Sequence, residues 1–328
     1  MSFQNELTEV FPIKSDMMEF YEFQKKITAT VWRHTEVLGS GDRHAYMILD
    51  PRVKGLYTFY LKFLNSIDDI VGANWACIVP DNVRSEFIIN SIKTFIEYIE
   101  TEHAFTYKKF ISEFLDDPIE RNTIFKAFMT FGPVLKLQEY SKKYIRHSGT
   151  EGYKYPLFAN LLIEHVLLPI IFTFVSWTAE KTVDNFNKRV PGFVQANTMI
   201  MADEATHADF AIMILNKYPE IKPPRSEALA VARDFMVFIE ECNTEAFADA
   251  NVPGINAEIL NDVARAKINE LISRLGLGDP VYTVGTLPGY ALNNNLMKKE
   301  SNFETNATIY SRVDKTDWSN VSDDLLDF

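Results

Sequence analysis

The chain has 328 residues and 47% hydrophobic content, enough for one large core or two modest ones. Its formal net charge is −12 and no basic patch stands out, which excludes nucleic acid and anionic lipid surfaces as expected partners. Only 13 glycines, set beside 25 phenylalanines and 14 tyrosines, suit long helices better than a many-turned β fold.

Residues 1–25 are mixed in character and are expected to be loosely held. They lack the basic start and apolar run of a secretory signal, so a cytoplasmic protein is expected. A helical domain is expected over 26–291. VWRHTEV, at 31–37, brings Trp32 to the start of the ordered part, and GSGD at 39–42 is a turn. From Val53 to Ile78 apolar residues recur at helical spacing through Tyr57, Leu61, Leu64, Val71 and Trp75. Asp68 lies four after Leu64 and three before Val71, on the buried face; Asp69 is off that face. The plainer reading of Asp68 is a surface acid beside a misjudged stripe. Cys77 and the distant Cys242 form no CxxC and no disulfide framework, which fits a reducing compartment.

Pro80 and Asp81 separate this segment from a central helix over Ile89 to Phe114. Its apolar stripe, Ile92, Phe95, Ile96, Ile99, Phe110 and Phe114, also carries Glu100, His103 and Tyr107. Residues three and four apart stack on one helix face, so a carboxylate, an imidazole and a phenol line up toward the core. A buried carboxylate is costly unless it is paired or bound to a metal. For a single Glu-x-x-His the plainer reading, a core histidine bonded to a neighbouring turn, is preferred.

DDPIERN at 116–122 is a turn and helix start, Ile124 to Tyr144 a helix interrupted near Gly132-Pro133, and 147–156 a loop. LFANLLIEHVLLPIIFTFVSW, at 157–177, is long enough to raise a membrane span. Glu164, His165, Asn160 and Pro169 argue against one, and for a helix at the centre of a large helical protein. Glu164 is the sole acid of the run and needs a partner, for which a metal is the natural choice. His165 cannot share its face and reads as a core histidine bonded to backbone. After a loop at 187–193, MIMADEATHADFAIMIL brings a second Glu-x-x-His, Glu204 and His207. A loop at 219–227 and helices from Ala228 to Phe247 and Ile255 to Leu275 follow. Periodicity fades after Gly276, and 292–328 is polar and expected to be a disordered tail ending in Leu325, Leu326, Asp327 and Phe328.

Two Glu-x-x-His copies change the balance. Four-helix dimetal carboxylate bundles use one such pair from each of two helices and one carboxylate from each of two others. Asp68, Glu100, His103, Glu164, Glu204 and His207 fill that set. The fold class expected is all-α, a ferritin-like four-helix dimetal bundle with additional helices. Four carboxylates and two imidazoles suit two iron or manganese ions, or a mixed pair, with positions open for dioxygen.

The residues around these ligands resemble a known family, the radical-generating small (β) subunit of class I ribonucleotide reductase. FLNSIDDIV resembles its first-ligand segment, IETEHAFTY its Glu-x-x-His-x-x-x-Tyr motif, LIEHVLL its third-ligand helix and ADEATHADF its Asp-Glu-x-x-His motif. The resemblance implies two metal ions per chain, iron foremost, a stable radical on Tyr107, and an electron path from Trp32 through Asp203 to His103. SNFETNATIYSR resembles the segment whose redox tyrosine, here Tyr310, passes the radical to the large catalytic subunit. The terminal LLDF resembles the peptide that docks there, and a homodimer is implied. This sequence departs from the family at Ala202, where arginine is usual, at His165, where glycine is common, and at Leu168, where a radical-pocket phenylalanine is usual; Phe172 is kept. A stand-alone dimetal oxidase or hydroxylase would share the ligands without needing Tyr310 or a docking tail. An iron-storage protein would need a cage.

Overall fold

The computed structural model describes residues 14–37, 39, 41–146, 154–180 and 186–292, and no strand occurs among them. The first helix, α1 (Met18–Thr28), begins inside the segment expected to be loosely held. Phe20 and Ile27, seven residues apart, share one face and are buried, with the Phe20 ring edge-on to Phe210.

Helix α2 (Pro51–Ile78) starts where the Asp50 side chain accepts a hydrogen bond from the Arg52 amide at 2.9 Å and Pro51 supplies a helix-ready φ. It stops at Val79, held extended ahead of Pro80. Helix α3 (Phe87–Phe114) is the expected central helix. The helix expected over 124–144 is three pieces, Pro118–Phe125, Ala127–Thr130 and α4 (Gly132–Tyr144); extended Phe131 breaks it just before Gly132-Pro133. Helix α5 (Pro156–Ala179) contains one turn of π-helix, Ile163–Leu167. Helix α6 (Pro191–Lys217) carries the second Glu-x-x-His. Helices α7 (Arg225–Ala246) and α8 (Ala257–Arg274) complete the domain, followed by a short turn of helix at Gly289–Leu292.

Helix α2 packs most extensively on α3, α3 on α6, α6 along α5, and the first part of α5 back on α2, closing a four-helix ring. Helices α4, α7 and α8 cover this ring, α8 lying over the π turn of α5. By length and composition α5 is the one helix among the described residues able to cross a bilayer, yet 94% of its most apolar window is inside the protein. Its all-round apolar surface is explained by neighbours on every side. The start of α6 is fixed from outside: Asp42 accepts from the Gly192 and Phe193 amides at 2.8 and 2.7 Å, filling two donors that the helix leaves open.

Candidate metal centre

Six side chains meet inside the ring. Asp68 comes from α2, Glu100 and His103 from α3, Glu164 from the π turn of α5, and Glu204 and His207 from α6. All six are buried. They form two groups that share Glu204: Asp68, Glu100, His103 and Glu204, and Glu164, Glu204 and His207. Within each group one ligand atom per residue lies within 4.8 Å of the others.

The polar atoms here lack ordinary partners. Asp68 Oδ2, both oxygens of Glu100 and Glu204, Glu164 Oε2, and Nδ1 of His103 and His207 are buried without a hydrogen bond. His103 Nδ1 comes within 3.0 Å of Glu204 Oε1, and His207 Nδ1 within 2.9 Å of Glu100 Oε1, but off the direction that an N–H would need. Most of the unpaired buried side-chain atoms among the described residues collect at this one point. Native interiors leave few such atoms, so they require an explanation.

Charge gives the same answer. Burial drives the Asp68 carboxyl well above the ordinary range, and the neighbouring Glu100 charge adds to the rise. Burial raises Glu164 likewise, against an opposing pull from His207. Burial alone would discharge the two imidazoles, but facing carboxylates outweigh it. His103 is pushed well above the usual range by Asp203, Glu100 and Glu204, and His207 to about 10 by Glu100 and Glu204. Glu204 is drawn down to about 2 by the two imidazoles, which overcome its burial. Asp68, Glu164 and the two imidazoles are thus all pushed toward their protonated forms. Two divalent ions would neutralise the four acids and leave both histidines as neutral ligands, the state metal binding requires. The residues fit a dimetal site, and their oxygen and imidazole donors suit iron or manganese.

Surrounding hydrogen bonds aim the ligands. Trp75 Nε1 and Asn160 Nδ2 both donate to Glu164 Oε1, at 2.6 and 2.7 Å, which leaves Oε2 facing the cluster. Asn160 is held in turn by Asn74, whose carboxamide oxygen accepts from Ser141 and Arg146. Asp203 Oδ2 accepts from Trp32 Nε1 at 2.6 Å and lies 3.4 Å from His103 Nε2, while the Trp32 and His103 rings stack at 5.8 Å. A carboxylate behind a ligating histidine fixes which ring nitrogen faces the metal. The segment carrying Trp32 is tied down where the His34 amide donates to Glu102, and Lys109 to the Val37 carbonyl.

Tyr107 is fully buried one turn beyond His103, and its hydroxyl donates to Asn197 Oδ1 at 3.0 Å. Burial, with the negative field of Asp68, Glu204 and Glu100, holds this phenol well above the usual range, so the phenolate is strongly disfavoured. A surface cleft between α2 and α3, lined by Asp69, Glu97, Thr101 and Lys108, reaches Asp68 and Glu100. His165 is buried, its Nε2 unpaired 3.6 Å from Glu270. Leu168 and Phe172 are buried on α5. Tyr310 and Leu325 to Phe328 lie outside the described residues.

Trp75, Asn74, Asn160, Arg146 and Asn197 were not singled out as site residues by the sequence. Only spacing hinted at two of them: Trp75 follows Asp68 by seven residues, and Asn160 precedes Glu164 by four.

The model of the family "Ribonucleotide reductase, small chain" matches residues 8–287. The ribonucleoside-diphosphate reductase small chain of vaccinia virus, strain Western Reserve, is 26% identical over 307 residues, covering 93% of this chain and 91% of the viral one. In fold, the chain is similar to the ribonucleotide reductase Rnr4 homodimer of Saccharomyces cerevisiae, with a TM-score of 0.69 at 16% identity over 92% of this chain and 88% of that one. It is also similar to the ribonucleotide reductase R2 subunit of Clostridium botulinum, with a TM-score of 0.65 at 17% identity over 84% and 88% of the two chains. With a match spanning most of its length and a buried carboxylate–histidine cluster able to take two metal ions, the chain belongs to the small-chain family of ribonucleotide reductase, an oxidoreductase.

Proposed function

We propose that this chain is the radical-generating half of a ribonucleoside-diphosphate reductase. Asp68, Glu100, His103, Glu164, Glu204 and His207 would hold the ions, Glu204 being the residue common to both groups of ligand atoms. When bound, two iron or manganese ions supply the chemistry of dioxygen reduction, and with it an oxidant beside Tyr107. The protein's own part is positional. Trp75 and Asn160 orient Glu164, Asp203 orients His103, and the closed ring of helices keeps water from Tyr107. Tyr107 yields an electron and its hydroxyl proton together, because the phenolate is too costly at this depth. Trp32 and Asp203 form the path by which an electron reaches His103. The tail with Tyr310 and Leu325 to Phe328 docks on a large catalytic subunit, and two copies of this chain pair as a homodimer. The absence of a phosphate-binding motif here fits nucleotide binding by that partner.

The observation that carries this reading is the collection of unpaired ligand atoms from six buried residues, with a buried phenol one turn away. The test is metal analysis with electron paramagnetic resonance on protein loaded with iron or manganese and exposed to oxygen. A tyrosyl signal is expected in the wild type and none in Tyr107→Phe, which should keep its metals. A tyrosyl signal unchanged by Tyr107→Phe would move the radical elsewhere, and no signal with either metal would favour a stand-alone oxidase.

A further inference from the structure

Asn197 stands seven residues before Glu204, two turns along the same face of α6. It is only 1% exposed, and both ends of its carboxamide are engaged. Its oxygen accepts from the Tyr107 hydroxyl at 3.0 Å, while its Nδ2 donates to the Phe193 carbonyl at 2.8 Å. The second bond fixes the orientation of the first: the amide turns its oxygen, not its nitrogen, to the phenol. Asn197 also forms part of the wall of a cleft of about 160 Å³, together with Val175, Val194, Thr198, Met201 and Tyr290. Tyr107 does not line that cleft. The Asn197 side chain therefore stands between the phenol and a space open to solvent.

An amide oxygen accepts hydrogen bonds but is far too weak a base to keep a proton. Oxidation of Tyr107 removes one electron from the ring and breaks the O–H bond. With metal bound, the oxidant supplied there would take the electron, and the proton would go to a base at that site, since Asn197 cannot hold it. The phenoxyl left behind has no proton to donate and faces an acceptor. The bond to Asn197 thus favours the phenol over the phenoxyl.

On the reading of Tyr107 as the radical site, we propose that Asn197 is a positioning residue that holds the Tyr107 hydroxyl in its reduced form and shortens the life of the radical. One neutral hydrogen bond of this kind shifts the phenol–phenoxyl equilibrium on the order of fivefold. Removing it without admitting water should therefore lengthen the radical's life. Removing it while opening the cleft should let water reach the oxygen and supply a donor that the wild-type radical lacks.

The test has a metal-free arm and a metal-loaded arm. In metal-free protein, the ultraviolet resonance Raman contribution of Tyr107, obtained by subtracting the matched Tyr107→Phe spectrum, reports whether the hydroxyl donates. It should read as a donor in the wild type and as a non-donor in Asn197→Leu, which is close in volume. The same contribution in both proteins would overturn the proposal. In iron- or manganese-loaded protein, the wild-type radical should show no coupling to an exchangeable deuteron, and Asn197→Leu should decay several-fold more slowly. Asn197→Ala, a smaller change should Leu disturb folding, should show a deuteron coupling from water. Equal decay in the wild type and Asn197→Leu, or an exchangeable deuteron in the wild type that Asn197→Leu removes, would also overturn it. Absence of any tyrosyl signal, with Raman donation confirmed, would overturn the reading of Tyr107 and the redox role of Asn197 together, while leaving the hydrogen bond established.

Discussion

Glu204 belongs to both groups of ligand atoms, so its side chain has the widest consequence of any at the site. Glu204→Ala should cost at least one of two bound ions, read by metal analysis after gel filtration; full stoichiometry in this variant and in Glu100→Ala would sink the ligand assignment. Asn160 offers a more local test. It is one of two donors that pin Glu164 Oε1 and thereby point Oε2 inward. Asn160→Leu should weaken the ion on the side of Glu164 and His207 by about 10–100-fold, as loss of such supporting bonds does elsewhere, and leave the other ion in place. A chelator competition that finds both affinities unchanged would show that Trp75 suffices. The contrast between these two residues shows what a sequence displays of a site. Glu204 and Glu100 betray themselves because a glutamate on an apolar stripe, three before a histidine, is chemically out of place. Asn160, Asn74 and Asn197 sit on equally buried faces, but a neutral amide there has many uses, and only the partner across the bundle reveals which one. Trp32 and Asp203 stood out only through the family resemblance, because 171 residues separate the two ends of their hydrogen bond.

At the scale of elements, periodicity located the four ring helices to within a few residues, because their buried positions are mostly apolar. It missed α1, whose buried face is only Phe20 and Ile27. It also could not show the π turn at Ile163–Leu167, which adds a residue to one turn and so shifts Glu164 and His165 relative to the flanking helix. One result of that turn is His165, buried under α8 with Lys267, Glu270 and Arg274 around it. Burial pulls its imidazole down to about 3, helped by Lys267 and Arg274 and opposed by Glu270. In the unfolded chain the same ring takes a proton near its ordinary value of about 6.5. Above that pH neither state is protonated and the contribution to stability is whole. Below it the unfolded state gains a proton that the folded state refuses, and stability falls by about 1.4 kcal/mol per pH unit until the folded value is reached. Metal-free wild type should therefore lose stability between pH 6.5 and 5 more steeply than His165→Gln, measured by urea unfolding at each pH. Parallel curves would mean that His165 is protonated in the folded protein, with Glu270 as its counter-ion.

At the scale of the whole molecule, the proposed docking on a large subunit rests on the composition of the tail. The described residues enclose a carboxylate–histidine cluster able to hold metal ions. The sequence beyond Leu292 is polar, with too few apolar residues to build a core of its own, and it ends in Leu325, Leu326 and Phe328 beside acids. A segment of that kind suits binding by ordering against a partner, its last apolar residues serving as anchors. Tyr310 precedes those anchors by fifteen residues in the same tail, where a docked segment would hold it between the two subunits. Two variants separate tethering from electron transfer. Deleting Leu325 to Phe328 should weaken binding to the large subunit while metal content and the Tyr107 signal stay as in the wild type, because neither depends on the tail. Tyr310→Phe removes one hydroxyl and should leave binding, metals and the radical nearly unchanged. It should nonetheless abolish deoxynucleotide formation with the cognate large subunit, since phenylalanine is much harder to oxidise than tyrosine and cannot relay the radical. Near-normal turnover by Tyr310→Phe, in an assay where the deletion variant binds weakly, would leave the tail as a tether and place the relay at another residue.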